Sequence, residues 1–191
     1  MLGAALGLLT RRRLGGAALV LAGLVVAGVV LYPVLRADDP APARASPQAR
    51  IVSVPELGLA FAHPRSWKRS VTGRVIRLRS PDGAAVMTFA SVAGRRPKNV
   101  KAVLLRSLRA RLKPAVVIRD GTGRLGTRTA VSVELAGLSP GARKRALVLV
   151  EDTPHRTYAI TLITPGRPSR KRLLEATQIL ATVRLTKPRV G

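Results

Sequence analysis

The feature that most constrains this chain is an uncharged apolar run at residues 14–35, LGGAALVLAGLVVAGVVLYPVL. At about 1.5 Å per residue, a helix over this run reaches roughly the 30 Å thickness of a bilayer's hydrocarbon core. Three arginines at 11–13 precede the run, so the positive-inside rule places residues 1–13 in the cytoplasm. We therefore expect a transmembrane helix over residues 14–35 with the remaining chain outside the membrane.

The next segment, residues 36–50, has the composition of a linker. It reads RADDPAPARASPQAR and contains no large apolar residue, which favours an extended tether. Small residues at 41–45 resemble a signal-peptide cleavage pattern, so secretion after cleavage is the alternative to an uncleaved anchor. The anchor is favoured because the apolar run is longer than a usual signal-peptide core and the cleavage-like residues lie well beyond its end.

The remaining residues, 51–191, are long enough to form one domain with its own core, and they are strongly basic. The chain carries a net charge of +25, and residues 51–191 hold 28 Lys and Arg against 7 Asp and Glu, a difference of +21. Such a surface attracts anionic polymers or lipid headgroups, and nucleic acid without sequence preference. Aromatic residues make up only 3% of the chain, which disfavours single-strand binding by base stacking. The GC-rich codon bias that the composition suggests is the competing explanation for the arginines.

Two basic triplets are the candidate anion-binding patch, namely Arg143, Lys144 and Arg145, and Arg170, Lys171 and Arg172. The chain has no cysteine, so stability depends on the core without disulfides.

No motif predicts catalysis, a cofactor or a metal. Residues 121–126, GTGRLG, match a dinucleotide-binding pattern, but a β-rich segment follows where that site needs a helix, so we interpret the glycines as a turn and bulge. Glu151, Asp152 and His155 are close in sequence, and the chemistry of a turn before Pro154 explains them better than a metal site. Trp67 is interpreted as a core anchor with its N–H satisfied.

Hydrophobic periodicity and turn residues predict an α+β domain in which an antiparallel sheet is flanked by helices. The expected strands are 57–62, 74–79, 84–92, 124–135, 144–151, 156–163 and a short one at 183–185, and the expected helices are 99–113, with Asn99 as its cap, and 169–181, with Ser169 as its cap. The strands at 74–79 and 84–92 should form a hairpin around the turn Ser80-Pro81-Asp82-Gly83.

This order of elements resembles the PsbP-like superfamily, which includes the extrinsic photosystem II subunit P and a Ran-binding nuclear import factor. The resemblance rests on FAHPRSW at 61–67, SPDG at 80–83, LGTRTA at 125–130, YAIT at 158–161 and ILATVR at 179–184. It implies a sandwich of an antiparallel sheet and helices, and binding or assembly modules rather than enzymes. No partner surface or metal site is carried over, because the charge of this chain departs from the acidic or balanced members.

The sequence therefore predicts a single-pass membrane protein whose extracytoplasmic domain binds or assembles components of the cell envelope without catalysis. The first alternative is a cationic module that binds DNA or an anionic wall polymer. The second is an enzyme whose site is assembled from residues that the sequence does not place. The partner, an envelope protein or an anionic polymer, has no signature in the sequence.

Overall fold

A computed structural model describes residues 48–94 and 97–188, which form ten strands and two α-helices. The strands are β1 (Ala49–Val54), β2 (Leu59–Pro64), β3 (Lys68–Thr72), β4 (Val75–Arg79), β5 (Val86–Val92), β6 (Ala115–Leu125), β7 (Arg128–Ser139), β8 (Ala142–Asp152), β9 (Thr157–Pro165) and β10 (Arg184–Leu185). The helices are α1 (Pro97–Arg111) and α2 (Arg170–Ala181), and a short 3₁₀ turn (Pro55–Leu57) connects β1 to β2. The predicted transmembrane helix at 14–35 and most of the predicted linker lie outside the described residues. Within the described residues, none of the helices has the length and apolar character needed to cross a membrane.

The strands form two antiparallel sheets instead of the single sheet expected. The larger sheet has the order β3-β4-β5-β9-β8-β7-β6, and the smaller has the order β1-β2-β10. In the smaller sheet β2 pairs with β1 on one side and with β10 on the other, through Arg184 and Ala60. The pairing of β10 with β2 is a contact between the two ends of the domain. Local hydrophobic patterns carry no information about such a distant pairing, so they do not predict it.

Two clusters of apolar side chains hold three layers together. On one face of the large sheet, Val100 and Leu108 of α1 and Leu112, which follows the helix, pack against β7, β8 and β9. The opposite face packs against α2 and the small sheet, with Phe61 stacked on Phe89 at 4.4 Å between ring centroids. Successive side chains of a strand point to opposite faces of the sheet. Both faces of the large sheet are therefore apolar where a helix or the small sheet covers them.

Helix α2 agrees with its predicted form. The side chain of Ser169 accepts a hydrogen bond from the amide of Arg172, so it caps the helix as expected. Helix α1 keeps its predicted apolar side, but it begins at Pro97, and Asn99 lies inside it. The prediction of an Asn99 cap was wrong because proline is itself favoured in the first turn of a helix.

The predicted hairpin is confirmed, since β4 and β5 pair antiparallel from Val75 with Ala90 to Arg79 with Val86. The strand expected at 124–135 is confirmed from Arg128 onward as part of β7, but a tight turn after Leu125 assigns residues 124 and 125 to β6. Strand β6 itself, which contains Gly121 and Gly123, was not predicted. Its side chains are mostly exposed because it is the edge strand of the large sheet, so the usual apolar alternation is weak.

Candidate functional site

The structure brings the two predicted basic triplets to one end of the molecule, between β8 and α2. The amide of Gly166 donates a 2.8 Å hydrogen bond to the carbonyl of Arg143, and Gly166 lies in the loop that leads to Arg170. Side chains alternate along β8, so Arg143 and Arg145 share the α2 side of the sheet and Lys144 points to the opposite side. The triplets are neighbours in space, but their six side chains do not share one surface.

Arg145 lies in the interior. Its guanidinium is 2.8 Å from the carboxylate of Glu134 on β7, and the two side chains are only 7% and 10% exposed. Burial raises the pKa of Glu134 above its ordinary value, and the charges of Arg145 and Arg119 oppose that shift. Removal of one member of a buried pair leaves an uncompensated charge, which strongly destabilises a fold. These contacts indicate that Arg145 has a structural role.

Arg172 is also held by carboxylates. It donates from Nε to Asp82 at 2.9 Å and from Nη1 to Glu175 at 2.6 Å, with its side chain 14% exposed. Glu175 also accepts a 2.9 Å hydrogen bond from the indole nitrogen of Trp67. Hydrogen bonds from the Ser80 hydroxyl and from Arg172 hold the pKa of Asp82 well below its ordinary value. This network ties the β4–β5 turn and Trp67 to α2, and the interpretation of Trp67 as a buried anchor with a satisfied N–H is confirmed.

The exposed members of the two triplets are Arg143, Arg170 and Lys171, which we call the end cluster. Lys144 is half-buried on the other side of the sheet. Anion binding by the end cluster stays a prediction. The interior ion pairs of Arg145 and Arg172 and the opposite orientation of Lys144 reduce the predicted patch from six side chains to three.

A small cavity lies beneath α2. The ion pair of Glu134 and Arg145 forms part of its wall, together with Thr164, Thr177 and leucines from both the sheet and the helix. Its volume of about 20 Å³ is room for about one water molecule. A site for a small organic ligand is usually ~300–1,000 Å³, so this cavity in its described shape does not hold a substrate or cofactor.

The glycine-rich segment at 121–126 has a structural role in the β6–β7 hairpin. Gly121 and Gly123 lie within β6, and Gly126 occupies the turn with a φ of +58°. A side chain at Gly126 would meet the carbonyl oxygen of Val183, and the Gly126 amide donates a 2.8 Å hydrogen bond to Leu180. The pattern does not open a helix, so it lacks the phosphate-binding geometry of a dinucleotide site. The predicted turn is present at Gly126, whereas the irregularity in β6 lies between Val117 and Arg119.

An ion pair between strands and a contact across the turn account for the acidic residues near Pro154. Glu151 lies 3.4 Å from Arg128, and Asp152 accepts a 2.9 Å hydrogen bond from the hydroxyl of Thr157. Within residues 48–94 and 97–188, no group of three His, Cys, Asp or Glu side chains is placed to hold a metal ion.

His63 is a buried polar residue that the sequence did not single out as important. Its Nδ1 lies 2.9 Å from the carbonyl oxygen of Pro64 and donates to it, whereas Nε2 is buried without a hydrogen-bond partner in the described part of the chain. Burial lowers the pKa of His63, and the charges of Arg50 and Arg69 lower it further. The position of His63 in an alternating strand next to Phe61 was the only sequence signal for burial.

A second basic surface was missed altogether. Cross-strand register places Lys68 beside Arg79, and it places Arg77 between Ser70 and Thr88. These side chains lie on the same side of the large sheet as α1, which packs on other strands of that sheet. We call these five residues the open face, because α1 packs on β8 and β9 and leaves this part of the sheet uncovered. The signal was the alternation in RVIRLR at 74–79, where Ile76 and Leu78 are buried and Arg77 and Arg79, which follow them, are exposed.

No protein-family model matches this chain, and no curated protein matches it. Solved structures do match it in fold. The Ran-binding protein Mog1p of Saccharomyces cerevisiae matches with a TM-score of 0.52 and 6% identity, over 74% of this chain and 97% of Mog1p. Cyanobacterial PsbP (CyanoP) of Synechocystis sp. PCC 6803 matches with a TM-score of 0.50 and 12% identity, over 78% of this chain and 98% of CyanoP.

A protein from Bacteroides thetaiotaomicron matches with a TM-score of 0.52 and 15% identity over 73% of this chain. Only 49% of that structure is covered, so the chain spans about half of its length. At such identities the similarity establishes the fold alone. The two antiparallel sheets and two helices of this chain therefore have the PsbP-like fold that Mog1p and cyanobacterial PsbP share.

Proposed function

We propose that this protein is a membrane-anchored, extracytoplasmic module that binds or assembles components of the cell envelope and does not catalyse a reaction. The observation that carries the proposal is the similarity of fold over about three quarters of the chain to Mog1p, which is a Ran-binding protein. The apolar run at 14–35, with arginines before it, supports the anchor and the orientation. Fold similarity suggests a binding module and leaves the partner open.

The described polar groups support a binding role over a catalytic one. Glu134, Arg145, Asp82, Arg172 and Glu175 are engaged in ion pairs that join β7 to β8 and the β4–β5 turn to α2. The cavity beneath α2 is too small for a substrate. We infer that the protein acts through its surface.

The orientation can be tested with single cysteines, because the chain contains none. Gln178→Cys places a thiol on the exposed side of α2, and Gly3→Cys is the matched control in the predicted cytoplasmic segment. We expect a membrane-impermeant maleimide to label the Gln178→Cys variant in intact cells and the Gly3→Cys variant only after permeabilisation. Labelling of both variants only after permeabilisation would contradict the proposal. A mature protein that begins near Ser46 would instead establish the secreted alternative.

The binding role can be tested with photo-cross-linkers attached to the same kind of variant. Cysteines at Gln178, Arg106 and Arg77 sample α2, α1 and the open face. A discrete protein adduct from at least one position, retained at 0.5 M salt, supports a shape-specific envelope partner. The absence of an adduct at all three positions would contradict it.

The second candidate is a cationic module for DNA or an anionic wall polymer, and the +21 difference in residues 51–191 favours it. Salt separates the two candidates. Polyanion binding weakens by a slope of about −0.9 in log K against log salt for each neutralised phosphate of duplex DNA. Binding that disappears near physiological salt is a general effect of charge, whereas binding that persists at high salt and prefers one sequence would establish specific recognition.

A further inference from the structure

We propose that the open face docks the domain against a bilayer surface that contains anionic phospholipids. This inference rests on the proposed function for the anchor, and it adds an orientation and a set of contact residues. Lys68, Arg77 and Arg79 are the cations of the open face, and all three are exposed.

The three cations are close together because strand pairing fixes their spacing. Lys68 and Arg79 are direct cross-strand partners, and Arg77 lies two residues from Arg79 on the same side of β4. Adjacent strands are about 4.8 Å apart, and alternate residues of a strand are about 6.7 Å apart. The backbone positions of the three cations therefore fall within one headgroup-sized area, with the hydroxyl of Ser70 next to Arg77.

No carboxylate in the described chain neutralises this area. The segment from Lys68 to Arg79 contains five Lys and Arg and no Asp or Glu. The acidic residues that form ion pairs do so with other cations, as Asp82 does with Arg172 and Asp120 does with Lys101. The guanidinium of Arg79 lies against Gly83, the residue after Asp82 in the β4–β5 turn. The carboxylate of Asp82 accepts its hydrogen bond from Arg172.

The chain enters the domain beside the open face. The carbonyl of Gln48 accepts a 3.3 Å hydrogen bond from the amide of Arg65, and β3 begins three residues later at Lys68. Three residues span at most ~11 Å, so the residues that connect to the apolar run join the domain at the end of the hairpin that carries Lys68 and Arg79. The 13 residues from Leu35 to Gln48 span at most ~45 Å even when fully extended, which keeps this face within reach of the bilayer.

These observations favour a lipid surface over a soluble polymer. An anchored domain meets its own bilayer at a high effective concentration, so weak contacts are sufficient. Each Lys or Arg near an anionic membrane surface strengthens binding several-fold, and three together give on the order of 100-fold. The cations of the open face also lie on one side of the sheet, so all three can contact the surface of a bilayer at the same time.

The test uses the full-length protein in lipid nanodiscs of phosphatidylcholine alone or with 30% phosphatidylglycerol, with a trace of acceptor-labelled lipid. A donor dye is attached to Thr72→Cys, on the open side of β3, or to Gln178→Cys on α2. We expect phosphatidylglycerol to increase energy transfer from position 72 more than from position 178, and 0.5 M salt to reverse the increase. Equal transfer in the two lipid compositions would overturn the proposal.

A matched pair of triple variants separates position from net charge. Lys68→Gln, Arg77→Gln and Arg79→Gln together should abolish the phosphatidylglycerol-dependent increase. The control removes the same charge from the end cluster, through Arg143→Gln, Arg170→Gln and Lys171→Gln, and should retain most of it. Equal losses would show that net charge alone attracts the domain, which overturns the proposal. Melting temperatures establish that both variants are folded.

Two further outcomes are decisive. A protein that does not enter nanodiscs disproves the anchor, and co-sedimentation with phosphatidylglycerol vesicles then tests the open face alone, with the same two variants. Suppose that soluble polyphosphate binds the wild-type chain and the end-cluster variant at 0.15 M salt but not the open-face variant, and that no lipid-dependent transfer occurs. This result would assign the open face to a polymer and overturn the lipid proposal.

Discussion

The end of the molecule near α2 and the open face are both rich in arginine, yet their arginines have different roles. Near α2, Arg145 and Arg172 are enclosed and paired with carboxylates from other elements. On the open face, Arg77 and Arg79 are exposed and have no carboxylate partner in the described chain. A cation supports the fold where the tertiary structure brings it to a carboxylate that is distant in sequence, and it is available to a partner where no such carboxylate lies nearby.

The largest expected effect is from Arg145→Met. This change leaves Glu134 buried without its counterion, so we expect a loss of about 3–5 kcal/mol in the free energy of unfolding. Denaturation of the full-length protein in detergent, followed by fluorescence of its single tryptophan, measures the loss. The double variant Arg145→Met with Glu134→Leu should recover much of the stability. A single variant as stable as the wild type would show that the pair does not support the fold.

A somewhat smaller effect is expected for Trp67→Phe, which removes the hydrogen bond to Glu175 but keeps an aromatic ring. Hydrogen bonds to charged groups contribute about 1.5–3 kcal/mol, and the expected loss of stability lies in that range. Far-ultraviolet circular dichroism measures it, since the fluorescent probe is lost. An unchanged melting temperature would mean that the Trp67–Glu175 contact adds nothing to the α2 network.

These elements also show what the sequence could predict. The cap at Ser169, the β4–β5 hairpin and the apolar side of α1 depend on residues close in sequence, and the structure confirms them. The pairing of β10 with β2 and the ion pair of Arg145 with Glu134 depend on where distant strands meet. The triplets at 143–145 and 170–172 were found because their basic residues are consecutive in the sequence. The cations of the open face are separated in sequence by other residues, and only strand register brings them together.

A third prediction concerns pH and the buried His63. Its pKa is lowered in the folded state, so the unfolded chain binds the proton more readily, and stability falls as pH decreases from about 6.5 toward the folded-state pKa. Thermal melts between pH 7.5 and 5 should show this loss, and His63→Gln should lessen it. A His63→Gln variant with the same pH dependence of stability as the wild type would contradict a neutral buried histidine.

The smallest effect on stability is expected from the open-face triple variant, Lys68→Gln with Arg77→Gln and Arg79→Gln. Exposed substitutions without a partner usually change stability by no more than about 0.5 kcal/mol each. Its melting temperature should therefore stay close to that of the wild type, in contrast with Arg145→Met. A large loss of stability would show that the open face supports the fold and would remove the contrast between the two regions.

The most direct test of this contrast needs no substitution. The full-length protein is placed in bicelles that contain phosphatidylglycerol and a lipid with a paramagnetic headgroup, and the broadening of each backbone amide signal is measured by NMR. We predict the strongest broadening in the described domain at β3 and β4, from Lys68 to Arg79, and weak broadening at the end cluster. Stronger broadening at Arg143, Arg170 and Lys171 than at β3 and β4 would contradict the account.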